Sequence, residues 1–138
     1  MTRHNLQRFH TAQENSYQNA FTEIKNEKKT SHWMWFIFPQ IAGLGNTEIS
    51  KHYAIKDLNE AEQYLKDDIL ANRLIQITKL LLVIKDKTAN EIFGKPDDLK
   101  LKSCMTLFSL VKNPNPVFQD GLDRYFEGNK DEKTVQLI

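Results

Sequence analysis

The chain has 138 residues, 40% of them apolar and 27% charged, with 19 basic against 18 acidic side chains for a formal net charge of +1. That balance argues against a dedicated nucleic-acid binder, which gathers a basic excess on one face; a single cysteine, Cys104, rules out an internal disulfide and a cysteine-cluster metal site. The length predicts one domain over residues 1–138 with a real core, and with no apolar run near ~18 residues and no signal-peptide pattern in MTRHNLQRFH the expected place is the cytoplasm, away from membranes.

Leu6, Phe9 and Ala12 suit a short first helix. Tyr17, Ala20, Phe21 and Ile24 then recur at i, i+3, i+4 and i+7, one apolar face of a second helix. Asn15 or Ser16 is its expected N-cap, and Lys25, Lys28 and Lys29 read as a solvated, lysine-rich end. The run SHWMWFIFPQ, Ser31 to Gln40, follows and holds both tryptophans of the chain. Its β-preferring residues would allow a buried strand, but no second strand signal offers it a partner. A strand would leave backbone groups unsatisfied, so a short helix from Ser31 to Pro39 is expected.

Gly43 and Gly45 break the chain, and Asn46 or Thr47 caps a short helix through Tyr53. Asn59 opens the next, carrying Ala61, Tyr64 and Leu65. From Ile69 to Lys85 the ridge Leu70, Leu74, Ile77, Leu81, Ile84 is flanked by Ala71, Ile75 and Leu82, the mark of a central, mostly buried helix. Ala89 to Phe93 makes one turn stopped by Gly94. Pro96, Asp97 and Asp98 start a helix to about Val111 that buries Leu101, Cys104, Met105 and Phe108. Asn113-Pro114-Asn115-Pro116 ends it, and helices from Val117 to Phe126 and around Lys133 to Leu137 complete the chain. The expected fold is therefore all-α: one compact, irregular or orthogonal bundle of about eight helices.

The strings SHWMWFIFPQIAGLG, HYAI, IFGKPDDLKLKSCMTLF and LDRYFEGNKDEKT, with an opening like NLQRFHTAQ, resemble a bacterial family catalogued as domain of unknown function 1810. The match spans nearly the whole chain. The resemblance implies a compact, mainly helical domain and leaves activity open; the calpastatin label given to some members finds no support in these residues. The chain departs from its relatives at Asn46-Thr47, where a larger or basic residue often follows the GLG.

Within the aromatic run, Trp33 and Trp35 would shield His32 from water and hold its imidazole neutral, ready to accept a proton. A helix starting at Ser31 would also present backbone N–H groups to an anion. The plainer alternative is a histidine packed at a helix start. Trp33, Trp35, Phe36 and Phe38 could stack on a flat ring or simply fill the core. On a helix the 33/36/37 and 35/38 rows diverge, so at least one ring should line a surface or cleft. Gln40, Gly43 and Gly45 form a loop able to approach a ligand, or a plain turn; it matches no phosphate-binding glycine motif. Lys102, Ser103 and Thr106 share one helix face, either an anion cradle or hydroxyls bonded to the preceding turn. Arg124 could clamp a carboxylate or phosphate, or make an exposed ion pair, and Asp123 could act as a base or a cap. Cys104 reads as an inert buried thiol, and His4, His10, His32 and His52 lack metal-ligand spacing.

The function expected from the residues is a pocket for a small flat or anionic, nucleotide-like molecule, lined by SHWMWFIFPQ. Its ligand contacts would be His32, Trp33, Trp35, Gln40, Gly43, Gly45, Lys102, Ser103, Thr106 and Arg124. The alternative is a protein-interaction module that uses exposed aromatics and performs no catalysis. Whether the chain is an enzyme stays open, with His32 and Asp123 the candidate catalytic groups. No cofactor, metal, nucleic acid or membrane is expected, and the chain should be a monomer or small homo-oligomer.

Overall fold

Phe9, Gln13, Ala20 and Ile24 lie along one helical stripe, and all four are buried in a single helix, α1 (Gln7–Lys25). The computed structural model describes residues 6–138, so His4 lies outside the described residues. The expected break at Asn15 or Ser16 is absent. Phe9 and Gln13 continue the stripe begun by Ala20 and Ile24, which holds both halves in one register. The buried Gln13 amide donates to the Phe36 carbonyl at 2.7 Å and to the Tyr64 hydroxyl at 3.0 Å, tying α1 to the aromatic run and to α4 (Leu58–Lys66).

The run itself folds as one helical turn, α2 (Met34–Ile37), shorter than expected. Ser31 does not cap it; the residue before the turn is Trp33, whose side chain makes no capping bond. The Thr30 and Ser31 N–H groups instead donate to Glu23 Oε1 at 2.7 and 2.9 Å. Beyond Pro39 the chain makes an isolated parallel bridge between Ile41 and Ile55, through Ile55 N–H to the Gln40 carbonyl and Ala42 N–H to the Ile55 carbonyl, both 2.8 Å.

Local signals set the rest. Thr47 and Ser50 form a capping box on α3 (Glu48–His52), and Thr88 and Glu91 form another on α6 (Ala89–Phe93). Asp57 caps α4; Asp67 ends it and caps α5 (Asp68–Val83), one carboxylate oxygen accepting from both Ile69 and Leu70 N–H. The predicted ridge Leu70, Leu74, Ile77, Leu81 and Ile84 is buried, and α5 packs on α1, α4 and α8 (Pro116–Phe126). Next come α7 (Asp97–Ser109) and α9 (Glu132–Leu137), with α7 packed against α4, α6, α8 and α9. The all-α expectation holds, with nine helices among the described residues. None of these is long and apolar enough to cross a membrane.

Candidate functional site

The two tryptophans part company because residues two apart on a single turn cannot share a face. Trp33 is 2% exposed and packs against Phe38 and edge-on to Phe93 in the core. Its indole Nε1–H donates to Glu23 Oε1 at 3.0 Å, so one carboxylate oxygen receives Thr30, Ser31 and Trp33 together. Burial alone would raise the Glu23 pKa, but these donors outweigh it and bring it down to about 2. Lys29, expected in solvent, is buried instead: its side chain is 8% exposed, pairs with Asp97 at 2.8 Å and lies over the Trp33 ring.

Trp35 is part-exposed and forms one wall of a cleft of about 280 Å³. The second wall is α7, through Leu99, Lys100 and Ser103; the floor and mouth come from the 40–45 loop, Ser50, Lys51 and Tyr53. Tyr53 is braced from behind by Phe9 and Phe36. Gly43 has φ 105°, the left-handed region open to glycine, and a Cβ there would meet Leu137 Cδ2 at 3.1 Å. A Cβ on Gly45 would fall 2.6 Å from Ser50 Oγ, inside the capping box of α3. The lining includes two lysines, Lys51 and Lys100, and no carboxylate. Lys100 Nζ sits 5.1 Å from the centre of the Trp35 ring and 3.3 Å from Asp97 Oδ1. Among the described residues, Lys51 Nζ and the Gln40 amide make no hydrogen bond or ion pair.

The other candidates are placed elsewhere. His32 is exposed, so the shielding its proposed role required is missing. The N–H groups offered to an anion near Ser31 are taken by Glu23, and the Ser103–Thr106 face is engaged by Asp131, through its carboxylate at Ser103 and its backbone N–H at Thr106. Ser103 Oγ donates to Asp131 Oδ2 at 3.3 Å, and Thr106 Oγ accepts from Asp131 N–H at 2.9 Å. Both hydroxyls also bond back one turn, to Leu99 and Lys102 carbonyls. The Lys102 ammonium lies over the Phe126 ring. Among the described residues Arg124 makes no ion pair; its guanidinium donates to the Ile84 and Lys87 carbonyls and closes the C-terminal end of α5. Asp123 is exposed and accepts from Gln119. Of the predicted contacts, then, the cleft gathers Trp35, Gln40, Gly43, Gly45 and Ser103. Sequence reasoning missed Lys51, Tyr53 and Lys100; the HYAI string holding Tyr53 and the KLK string holding Lys100 were visible, but their convergence was not. Burial pushes the Cys104 thiol well above its ordinary pKa, which keeps it protonated and unreactive. Among the described residues no three His, Cys, Asp or Glu side chains are placed to share a metal ion.

Fold and site together define an all-α protein with an aromatic-walled, lysine-bearing cleft. The chain belongs to the family described as Protein of unknown function (DUF1810), which it matches over residues 3–138. It is similar to the crystal structure of the conserved hypothetical protein Rv1873 from Mycobacterium tuberculosis, at 42% identity and TM-score 0.95, over 97% of this chain and 96% of that one. No curated protein matches it.

Proposed function

We propose that the chain binds a small, flat, anionic molecule of nucleotide-like character in the cleft between Trp35 and α7. The observation that carries this reading is the composition of the lining: an indole and a phenol ring, two lysines, an unengaged amide, and no carboxylate. Aromatic walls favour a planar ligand, and two lysines in the lining, one of them (Lys51) without an acidic partner among the described residues, favour a carboxylate, sulfonate or phosphate. The volume sits at the low end of ligand pockets, about 300 Å³, which suits one ring system with one anionic group. Proton transfer, if the bound molecule reacts, would fall to Lys51, Lys100 or Tyr53, since neither His32 nor Asp123 lines the cleft.

The test is a thermal-shift panel of nucleotides, dinucleotides, ADP-ribose and aromatic carboxylates. A ligand at a hundred times its dissociation constant adds about 2.7 kcal/mol, a rise of several degrees for a domain of this size. Stabilisation by anionic ring compounds is expected; a flat panel refutes the reading. An interaction surface has one specific observation in its favour, the apolar rim of Leu99 (58% exposed) and Leu137 (41%). The aromatics that would supply its hot spot, Trp33, Phe36 and Phe38, are buried. A flat panel with a partner released by Leu99→Asp favours that alternative.

A further inference from the structure

The face of Trp35 that a planar ligand would use is covered by the chain's own Lys100 ammonium, 5.1 Å from the ring centre. A ligand ring can stack there only if Lys100 moves. Two facts make that movement cheap. Asp97, the carboxylate that holds Lys100 through Oδ1, is also held through Oδ2 by Lys29 at the shorter distance of 2.8 Å, and Lys29 is the better buried of the two, 8% against 27% exposed. Asp97 therefore keeps a close cation when Lys100 leaves. Lys100 is anchored on α7 in the cleft wall, and its long flexible stem lets the head swing to a new partner.

Resting on the cleft reading above, we propose that Lys100 determines which ligands enter. In the free protein it occupies the Trp35 face as a stand-in; on binding it exchanges the indole and Asp97 for the ligand's anionic group, while the ligand's ring takes its place on Trp35. A ring bearing an anion recovers the interactions that Lys100 gives up. A neutral ring of the same shape displaces the ammonium and gives it nothing in return. The cleft thus selects aromatic anions over neutral aromatics, and the larger part of that selection resides in Lys100, with Lys51 the second cation of the lining.

Naphthalene-2-sulfonate and naphthalene-2-sulfonamide are near-isosteric probes that differ in charge at neutral pH. Each is titrated to millimolar concentration while the two indole N–H resonances are followed by NMR. Trp33, bonded to Glu23, serves as the internal reference. In the wild type the sulfonate should move the Trp35 signal with about tenfold higher affinity than the sulfonamide, the order expected for one charge-assisted contact. In Lys100→Met the ratio should fall severalfold, Lys51 keeping the remainder, with the sulfonamide binding more tightly than before, and Lys100→Arg should restore the preference for the sulfonate. A sulfonate preference that is undiminished in Lys100→Met overturns the assignment to Lys100 and leaves the cleft reading standing. Equal affinities in the wild type overturn the charge selection. A Trp35 signal that neither probe moves overturns the cleft reading, and this inference with it.

Discussion

Replacing Glu23 by Gln keeps the oxygen that accepts from Thr30, Ser31 and Trp33 and removes its charge. The Glu23 pKa falls from 4.5 to about 2 on folding. Because the folded value is the lower one, the charge stabilises the fold above the unfolded pKa, and that contribution drains away as pH falls toward the folded one. At about 1.4 kcal/mol per unit the shift sets a ceiling near 3 kcal/mol; the carboxylate is part-exposed, and solvent screening brings the expected value to about 1–2 kcal/mol. For a chain between the usual size classes this is a fall in Tm of about 3–8 °C at neutral pH. Urea unfolding of wild type and Glu23→Gln, at a series of pH values from about 7 down to about 2.5, measures the difference directly. The gap should be constant above about pH 5, shrink below it and fall to about a quarter of its neutral value at the lowest pH. A gap that stays the same across the series would refute the assignment of charge-assisted bonds at Oε1, and no gap at neutral pH would refute the anchoring of the aromatic run by Glu23.

Gln13→Leu leaves the Phe36 carbonyl and the fully buried Tyr64 hydroxyl without the amide that donates to both, a loss of about 1–3 kcal/mol in urea unfolding; a change within experimental error contradicts the buried bridge between α1, α2 and α4. Asp131→Ala removes the N-cap of α9 together with the acceptor for Ser103 and Thr134 hydroxyls, and should cost about 1–2 kcal/mol. Amide exchange should show α9 opening well before α5 in that variant, whereas uniform loss of protection would mean that α9 is not separately held by its cap.

What the sequence revealed tracks how local each determinant is. The ridge of α5, the stop at Gly94 and the start at Pro96 each rest on residues within a few turns, and the structure has all of them. The false break in α1 came from Asn15 and Ser16, good caps by type; Asn15 lies exposed and Ser16 part-buried within the unbroken helix. The site was legible only in part because the chain supplies its own anions. N–H groups near Ser31 meet Glu23, and Ser103 and Thr106 meet Asp131, 28 and 25 residues away. Residue type announced an affinity for anions at both places but not that Glu23 and Asp131 already engage these groups. The divergence of rows on the aromatic turn did predict a ring at a surface, and that ring is Trp35. Lys29 looked solvated because its ion-pair partner, Asp97, lies far along the chain.

The most direct test of the central claim is the calorimetric dissociation constant of the strongest panel ligand for the wild type and for Trp35→Ala. Loss of one stacking wall and of the surface where the ring and Lys100 trade places should weaken binding by about tenfold or more, with secondary structure retained because the ring is only part-buried. An unchanged dissociation constant in a folded Trp35→Ala variant would contradict the account and move the ligand, and with it the function, away from this cleft.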